Sequence, residues 1–251
     1  MQLLAESARK LGIRLTGGQL EKFRVYCDEL IEWNRRLNLT AVRERDQIML
    51  KHFLDSLSVL LVWREAGAGR AIDVGSGAGF PGVPLKIVCP DLHLVLLEAT
   101  GKKVDFLRHI IERLKLERVT AIHGRAEDLG RQAGHRERYD LVLARAVAAL
   151  PELLEYGLPF AALGGLMIAH KGAAAPQEVH ESQLALSILG GRLERLARVE
   201  IPGVTEERQL VMIRKTALTP HDYPRRPGIP HKRPLVRTSS TGVAAGSDPE
   251  P

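Results

Sequence analysis

Cysteine is scarce in this chain, which contains only Cys27 and Cys89 among its 251 residues. Two widely spaced thiols form neither a disulfide framework nor a zinc site, so we expect a protein of the reducing cytoplasm that needs no metal. Cys27 lies in an amphipathic segment and Cys89 ends an apolar one. Both are better explained as buried packing residues than as catalytic thiols.

Long apolar runs are also missing. No stretch reaches the roughly 18 uncharged apolar residues that a membrane-spanning helix requires. Residues 1–10 lack the apolar core of a signal peptide. We therefore expect neither a transmembrane segment nor export.

Positive charge is in moderate excess, with 36 Lys and Arg against 30 Asp and Glu, a net charge of +6 and a pI of about 9.5. A basic balance favours an acidic partner, such as nucleic acid or an anionic membrane surface. The same charge also fits a solvated surface without any partner, because net charge says nothing about fold. The motifs have to decide between these interpretations.

The first 66 residues have the pattern of a helical extension. Apolar residues recur there at steps of three and four, the spacing of one helix face, at Leu20, Phe23, Cys27, Leu30, Trp33 and Leu37. Thr16 followed by Gln19 predicts a capping box at the start of this helix. A second helix is predicted from Asp46 to Glu65, with its end at Gly67.

Short apolar strands then alternate with helices, which is typical of a parallel sheet covered on both faces. The predicted strands are Ala71–Val74, His93–Leu97, Val119–His123, Leu141–Ala144 and Leu166–His170, and the predicted helices are Lys102–Leu116, Pro151–Ala161 and Gln177–Leu189.

Two further strands are predicted at Arg192–Ile201 and Glu207–Lys215. Only five residues separate them, too few for a crossover helix, so this pair should be antiparallel. A mostly parallel seven-stranded sheet that ends in an antiparallel hairpin is the layout of Rossmann-like class I methyltransferases. The predicted organisation is a helical extension over 1–66, a methyltransferase domain over 67–218 and a tail over 219–251.

The predicted tail is basic and rich in proline. Half of the 14 prolines lie in the last 32 residues, and five Lys or Arg but no acid occur from Arg225 to Arg237. Such a segment has little capacity to fold alone, although it can fold on a partner or along the domain. Residues 238–251, rich in Ser, Gly and Pro, are expected to be disordered.

The segment Asp73-Val74-Gly75-Ser76-Gly77-Ala78-Gly79-Phe80-Pro81-Gly82 follows the first predicted strand. Glycines allow a tight turn and a close approach of a ligand to the backbone. Gly77 to Gly82 also match the dinucleotide fingerprint G-x-G-x-x-G, which alone is a weak signal for an oxidoreductase. Asp73 argues against that alternative, because an acid there repels a pyrophosphate but attracts the ammonium and sulfonium of S-adenosylmethionine.

Polar residues follow the other predicted strands, at the edge where ligands of doubly wound sheets bind. Glu98 ends the second strand, close to the roughly 20-residue offset at which an acid reaches ribose hydroxyls. The segment Gly124 to Asp128 follows the third strand, and its loop residues can contact the adenine. Arg145 ends the fourth strand, where the methyl group should face its acceptor.

These residues resemble the bacterial small-subunit rRNA guanine-N7 methyltransferase G family, also called glucose-inhibited division protein B. The resemblance covers about residues 15–237 and rests on a combination of short segments. They are Trp33-Asn34, Leu37 to Thr40, His52 to Ser56, Asp73 to Leu85, Leu96 to Glu98, Lys102 with Phe106-Leu107, Gly124 to Glu127, Ala144 to Ala146, Lys171-Gly172, and Tyr223 to Pro230 with Lys232 and Pro234-Leu235.

The resemblance implies transfer of a methyl group from S-adenosylmethionine to N7 of guanine 527, in the 530 loop of 16S rRNA within the small ribosomal subunit. It also implies cofactor contacts by Gly75, Phe80, Ala126, Glu127 and Arg145. The residues themselves leave open an NAD-dependent oxidoreductase, a non-catalytic RNA-binding protein, and a methyltransferase of proteins or small molecules. We expect a monomer.

Guanine N7 carries a free lone pair and needs no deprotonation before it attacks a methyl group. No general base is therefore required, and catalysis should come mainly from positioning. Arg145, Lys171 and His52 are candidates for orienting the guanine or a phosphate. His52 equally fits a helix-surface histidine without a role in the reaction.

Basic residues are also expected to bind RNA. The net charge and the acid-free tail predict a rim of such residues that contacts phosphates around the methyl-transfer pocket. Its expected members are Lys102, Lys103, Arg225, Arg226, Lys232 and Arg233.

Overall fold

The computed structural model describes residues 1–63 and 69–236. Three predictions lie outside the described residues: the helix end at Gly67, the boundary between residues 66 and 67, and the disorder of residues 238–251. The division of the chain into three segments stays a prediction. The helices are α1 Gln2–Lys10, α2 Gly17–Leu37, α3 Arg45–Ile48, α4 Asp55–Leu57, α5 Gly82–Val88, α6 Gly101–Arg113, α7 Ala126–Leu129, α8 Leu150–Gly157, α9 Ala175–Glu181, α10 Gln183–Leu189 and α11 Ile229–Lys232. The strands are β1 Arg70–Val74, β2 His93–Glu98, β3 Val119–His123, β4 Tyr139–Arg145, β5 Ala161–Lys171, β6 Gly191–Val199 and β7 Arg208–Lys215. Within the part of the chain that the structure describes, no helix is long and apolar enough to cross a bilayer.

The seven strands form one sheet in the order β3-β2-β1-β4-β5-β7-β6. The first five are parallel, and β7 is antiparallel to both β5 and β6. This topology confirms the predicted fold class, including the terminal hairpin. It also brings the carboxyl ends of β1 and β4 side by side in the middle of the sheet, where the candidate residues lie.

Two apolar layers cover the sheet. On one face, α1, α2, α5, α6 and the helical turns between residues 45 and 61 enclose a core that contains Phe23, Phe53 and Phe106. On the other face, α8, α9 and α10 enclose a core that contains Leu154 and Leu186. The N-terminal helices therefore belong to one wall of the domain, and they extend to the carboxyl edge of the sheet.

Helix α2 begins as the sequence predicts. The Thr16 side chain accepts a hydrogen bond from the Gln19 amide at 3.2 Å, and the Gln19 side chain accepts one from the Thr16 amide at 2.8 Å. The two bonds satisfy backbone donors that a helix start otherwise leaves unpaired. The apolar face of α2 buries Phe23, Cys27 and Leu30 against the sheet side of the domain.

The second predicted helix, Asp46 to Glu65, is divided. α3 passes into a π-helix over Met49–Leu54, then into α4 and a 3₁₀ turn over Ser58–Leu61. The hydrogen bonds of a π-helix join residues five apart in sequence, one more than in an α-helix, and such turns are frequent at functional sites. Here the π-helix carries His52, and α4 begins directly after it at Asp55.

Two other helix predictions are wrong in extent. The helix predicted to reach Ala161 ends at Gly157, because Pro159 lacks an amide for the helix, and β5 begins at Ala161. The helix predicted over Gln177–Leu189 is broken into α9 and α10 at Ser182, whose hydroxyl donates to the Glu178 carbonyl at 2.6 Å.

The described part of the tail folds back along the domain. The Arg136 guanidinium donates to the carbonyls of Thr219 at 2.6 Å and Tyr223 at 2.8 Å. Arg131 donates to the Asp222 carbonyl at 2.9 Å, and Leu235 is buried in the core beside α8. The domain thus supplies the backbone hydrogen bonds and apolar contacts that this proline-rich segment cannot make alone.

Candidate active site

The turn after β1 is organised by Asp73, which is fully buried. Its Oδ2 accepts a hydrogen bond from the Gly82 amide at 2.8 Å, and a Cβ at Gly82 would lie 2.9 Å from the same oxygen. Its Oδ1 is buried without a hydrogen-bond partner among the described residues. Burial raises the pKa of Asp73 to about 7, against the opposing effects of the Gly82 hydrogen bond and the Arg145 charge.

Three glycines of this turn adopt the left-handed backbone conformation, with φ of 69° at Gly75, 58° at Gly77 and 98° at Gly79. At Gly79 a Cβ would lie 2.7 Å from the Tyr26 hydroxyl, which donates to the Ala78 carbonyl at 2.5 Å. At Gly77 a Cβ would meet no side chain within 4 Å. The helical extension therefore fixes one side of the turn, and the other side faces open space.

Glu98 joins this turn to the one after β2. Its Oε2 accepts from the Gly77 amide at 2.9 Å and its Oε1 from the Thr100 amide at 2.8 Å, and its exposed fraction is 6%. A ribose contact by Glu98 stays a prediction. Each carboxylate oxygen has a second lone pair that these amides leave available.

A hollow of about 130 Å³ lies over the carboxyl ends of β1, β2 and β3. It brings together three residues that the sequence singled out, Gly75, Ala126 and Glu127. Its other walls are Val74, Leu97, Ala99, Gly124, Arg125, Val147 and Tyr156. We call it the first hollow.

Val147 and Tyr156 are lining residues that sequence reasoning missed. Val147 covers Gly75, where a Cβ would lie 2.7 Å from its Cγ2. The turn that carries Val147 passes through Ala146, which has a φ of 55°, uncommon for a residue with a side chain. No sequence signal marks this conformation, although Val147 follows directly after the Ala144–Ala146 segment.

A second cavity, of about 390 Å³, opens beyond β4 and β5. It collects the three residues predicted to orient the substrate, His52, Arg145 and Lys171, which are far apart in sequence. Its other walls are Val42, Lys51, Asp55, Ala146, His170, Gly172 and Arg208. We call it the second cavity.

Arg145 separates the glycine turn from the second cavity. Its Nη1 donates to Asp55 Oδ2 at 2.9 Å and to the Lys51 carbonyl at 3.2 Å. Its guanidinium carbon lies 4.8 Å from the centre of the Phe80 ring, a cation–π distance. Arg145 and Phe80 are both predicted cofactor residues, and the structure brings them into contact.

His52 is held as a neutral ring. Its Nε2 lies 2.6 Å from Thr40 Oγ1, its Nδ1 lies 3.3 Å from Arg145 Nη2, and the ring stacks on Phe80 at 4.7 Å. Burial, followed by the Arg145 charge, lowers the pKa of His52 to about 4. Both ring nitrogens are engaged by the protein, so His52 positions the surrounding groups and is not a free base.

Lys171 is partly buried, with 9% of its side chain exposed, and it is paired. Its ammonium donates to the Ala148 carbonyl at 2.5 Å and lies 2.7 Å from Glu178 Oε2, which also accepts from the Leu150 amide at 2.6 Å. Lys171 therefore holds the turn over 146–149 against α8 and α9. This geometry favours a role in shaping the cavity wall over the predicted contact with guanine or phosphate.

Asp55, His170 and Arg208 complete the second cavity, and sequence reasoning did not single them out as functional. Asp55 Oδ1 lies 3.4 Å from Arg208 Nε, outside hydrogen-bond geometry, and the Asp55 carbonyl lies 3.1 Å from His170 Nε2. His170 Nδ1 has no hydrogen-bond partner in the described ranges, and burial lowers the pKa of this ring. The available signals were the spacing of Asp55 three residues after His52 and the position of His170 at the end of a predicted strand.

The predicted phosphate-contacting residues have different surroundings. Lys102, Arg226, Lys232 and Arg233 are exposed, and Lys103 is half-buried at the start of α6. Arg225 is instead paired with Glu155, with Nη2 at 2.6 Å from Oε2. Because Glu155 is fully buried, Arg225 neutralises an internal charge, and we do not retain it as a phosphate contact.

The family model and the curated relatives compared with this chain carry the same description. A model of the family "rRNA small subunit methyltransferase G" matches residues 19–211. Curated proteins described as ribosomal RNA small subunit methyltransferase G include one from Roseiflexus castenholzii, 50% identical over 94% of this chain and 100% of its own length. Another, from Chloroflexus aggregans, is 49% identical over 93% of this chain and 98% of its own length.

Solved structures share the fold at low sequence identity. A provisionally assigned O-methyltransferase from Klebsiella pneumoniae superposes with a TM-score of 0.52 at 19% identity, covering 76% of this chain and 90% of that one. TrmN from Thermus thermophilus superposes with a TM-score of 0.51 at 16% identity, covering 66% of this chain and 53% of that one. These similarities agree with the observed fold.

The buried Asp73 carboxyl predicts a pH-dependent stability. Its folded pKa of about 7 lies above the unfolded value of 3.8, so the folded state holds a proton that the unfolded state has lost between these pH values. The associated stability is complete below pH 4 and is lost as the pH rises through 7. Asp73→Asn keeps an acceptor for Gly82 and cannot ionise, so its advantage over the native chain should grow by about 3 kcal/mol from pH 5 to pH 8.

Urea unfolding of both proteins at each pH unit measures the difference in their free energies of unfolding. The histidines and surface groups are the same in both proteins, so their contributions cancel in this difference. Parallel stability curves for the two proteins would contradict the raised pKa.

Proposed function

Because this chain belongs to the rRNA small subunit methyltransferase G family, we propose that it transfers a methyl group from S-adenosylmethionine to N7 of a guanine in the 530 loop of 16S rRNA. The observation that supports this assignment best is the pair of adjoining spaces at the carboxyl edge of the sheet. The first hollow has the position of a cofactor site in doubly wound sheets. The second cavity includes Ala146, next in sequence to Val147 of the first hollow, and is lined by polar and cationic side chains.

The residues around the glycine turn fit a cationic cofactor. Asp73 Oδ1 is a buried oxygen without a hydrogen-bond partner in the described part of the chain, and a nearby ammonium would satisfy it. Gly77 offers open backbone, because a Cβ placed there would have no side chain within 4 Å. We propose that Gly75, Gly77 and Asp73 hold the amino-acid part of the cofactor.

Two of the remaining predicted cofactor residues, Ala126 and Glu127, line the first hollow, whereas Glu98, Phe80 and Arg145 lie outside its lining. We propose that Glu98 accepts from the ribose hydroxyls, using the lone pairs that Gly77 and Thr100 leave available. Ala126 and Glu127 would lie against the adenine. Phe80 and Arg145, stacked at 4.8 Å, would border the reacting end.

When bound, the cofactor supplies a methyl group on a sulfonium, which a guanine N7 lone pair can attack without losing a proton. The chain needs no base for this step. The two histidines of the second cavity are weak bases, because the pKa of His52 is lowered to about 4 and that of His170 is also lowered. The contribution of the protein is alignment of the two reactants and exclusion of water.

We propose that the guanine enters the second cavity. Guanine presents N7 and O6 as acceptors and its amino group as a donor. The cavity offers donors at Arg145 and Arg208, and Asp55 as a buried acceptor. Lys171 acts through the turn over 146–149, which it ties to α9.

Binding of the small ribosomal subunit would use the exposed basic residues, and we propose Lys102, Lys103, Arg226, Lys232 and Arg233 as phosphate contacts. A ribosomal substrate implies action in the cytoplasm. We further propose a monomer, since only four large apolar side chains are exposed in the described ranges, Val147, Leu163, Leu218 and Ile229, and they belong to four separate segments of the chain.

The proposed reaction is tested with methyl-labelled S-adenosylmethionine and small ribosomal subunits from cells that lack this protein. Label should enter 16S rRNA, and mapping should locate it on N7 of one guanine in the 530 loop. Label on another nucleotide or on a protein would overturn the proposed target. Cofactor binding without any methyl transfer to the subunit would overturn the proposal that the small ribosomal subunit is the substrate.

Substitution of Gly77 tests the cofactor site. A valine there would project into the space that the cofactor is proposed to occupy, so Gly77→Val should abolish binding detected by calorimetry. Gly12→Val is a matched control, because Gly12 has a φ of 75° and, like Gly77, no side chain within 4 Å of a Cβ. The control should show similar backbone strain and normal binding, and equal losses in both variants would count against a ligand at Gly77.

Removal of charge tests the proposed phosphate contacts. Arg226→Gln, Lys232→Gln and Arg233→Gln combined should make the log–log salt dependence of subunit binding shallower by about two units, at roughly 0.7 to 0.9 per contact. Cofactor affinity should not change. The control replaces the exposed Arg192, Arg195 and Arg198 of β6 by Gln, which removes the same charge elsewhere. Equal slopes for the two triple variants would refute a specific contact by the tail.

A further inference from the structure

The described part of the tail after β7, residues 217–236, reaches the walls of the first hollow. The acidic side chains that receive hydrogen bonds or ion pairs from it include Glu127, Glu152 and Glu155. Glu127 belongs to α7, and the other two belong to α8. Both helices contribute lining residues to the first hollow, Glu127 from α7 and Tyr156 from α8.

The strongest of these links is between Arg225 and Glu155. The Arg225 backbone amide donates to Glu155 Oε1 at 2.7 Å, while the guanidinium donates to Oε1 from Nε at 2.9 Å and to Oε2 from Nη2 at 2.6 Å. Arg225 Nη2 also donates to the Arg233 carbonyl at 2.7 Å. A bidentate pair with a fully buried carboxylate is geometrically demanding, so it fixes the tail at one place on α8.

The second link reaches the loop after β3. Glu127 is almost fully buried, at 4% exposure, and its Oε1 accepts from the Gly228 amide at 3.0 Å. Gly228 has a φ of 82° at the start of α11. Nearby, a Cβ at Gly130 would lie 3.3 Å from the Pro224 ring, so the tail packs directly on the end of α7.

The third link passes through Glu152. Its Oε1 accepts from the Tyr156 hydroxyl at 2.7 Å, and His231 Nδ1 lies 3.2 Å from both of its oxygens. Tyr156 lines the first hollow and follows Glu155 directly in sequence. One tail segment, Arg225 to His231, is thus bonded to both helices that carry the wall.

We propose that the tail is a positioning element for the cofactor: the Arg225–Glu155 pair locks residues 225–231 in place, and this segment sets α7 and α8 at the spacing that the adenosine part of S-adenosylmethionine requires. The proposal rests on the assignment of the first hollow to the cofactor. Arg225 does not line the hollow itself and acts through Glu155, Glu127 and Tyr156. It is therefore a positioning residue.

Arg225→Gln tests the proposal in the full-length protein. The dissociation constant for S-adenosylmethionine should rise by roughly three- to thirty-fold, the range typical of a residue that acts on a site indirectly. In the methylation assay the KM for the cofactor should rise with it, while kcat at saturating cofactor and the KM for the ribosomal subunit should stay within about twofold. Arg225→Lys keeps the charge and should recover part of the affinity.

Arg214→Gln is the control for loss of a bidentate arginine pair elsewhere. Arg214 pairs with Glu194 at 2.6 and 2.8 Å and bonds to the Gly164 carbonyl at 2.8 Å, and the Glu194 side chain is about one-third exposed, unlike the buried Glu155. It pairs with Leu166 in the middle of β5 and lines a cavity with Gly69 and Asp140, at the amino ends of β1 and β4, the opposite edge of the sheet from the first hollow. An equal loss of cofactor affinity in both variants would show general destabilisation and overturn the proposal, as would an unchanged affinity in Arg225→Gln.

Hydrogen exchange on the native chain provides a measurement without any substitution. Coupling between two sites is reciprocal, so saturating S-adenosylmethionine should slow exchange of the Gly228 amide, which is bonded to Glu127. Unchanged exchange at Gly228 with demonstrated cofactor binding would overturn the role of the tail. Failure of the native chain to bind the cofactor at all would instead overturn the proposed function.

Discussion

The bond between the Gly82 amide and the buried Asp73 carboxyl is the interaction on which the rest of the site depends. Asp73 lies near the end of β1 in the middle of the sheet, and its 2.8 Å bond closes the turn that begins at Gly75. A second carboxyl, Glu98, holds the opposite side of the same turn through the Gly77 amide. Two acids at neighbouring strand ends thus shape one loop, and the single backbone donor offsets only part of the cost of burying Asp73, whose pKa is raised.

The helical extension completes this arrangement from one face of the sheet. Tyr26 of α2 donates to the Ala78 carbonyl, and Phe53 and Phe80 pack around the same ring. The π-helix then carries His52 to the edge where Arg145 ends β4. Since Arg145 bonds to both Asp55 and Lys51, the extension forms half of the second cavity. Stability of the fold and shape of the site are therefore linked through the same contacts.

The tail is attached to the opposite face of the sheet, where it contacts α7 and α8. Its carbonyls are satisfied by Arg131 and Arg136, and its Arg225 neutralises the buried Glu155. Replacement of one partner of such a pair leaves an uncompensated charge in the interior, which is costly. A segment that the sequence indicates to be weakly folding is thereby held to the domain by charges that the domain itself supplies.

The sequence alone was sufficient for the local features. Alternating apolar strands, the capping box at Thr16, the glycine turn after Asp73 and the short link between the last two strands each depend on residues close together in the chain, and the structure confirms them. Only the tertiary structure decided which charges meet. It paired Arg225 with Glu155, engaged Lys171 with Ala148 and Glu178, and brought His170 and Arg208 to Asp55. A charged residue has the same appearance in a sequence whether it faces solvent or a buried partner, because its role is set by the burial and the neighbours that folding provides.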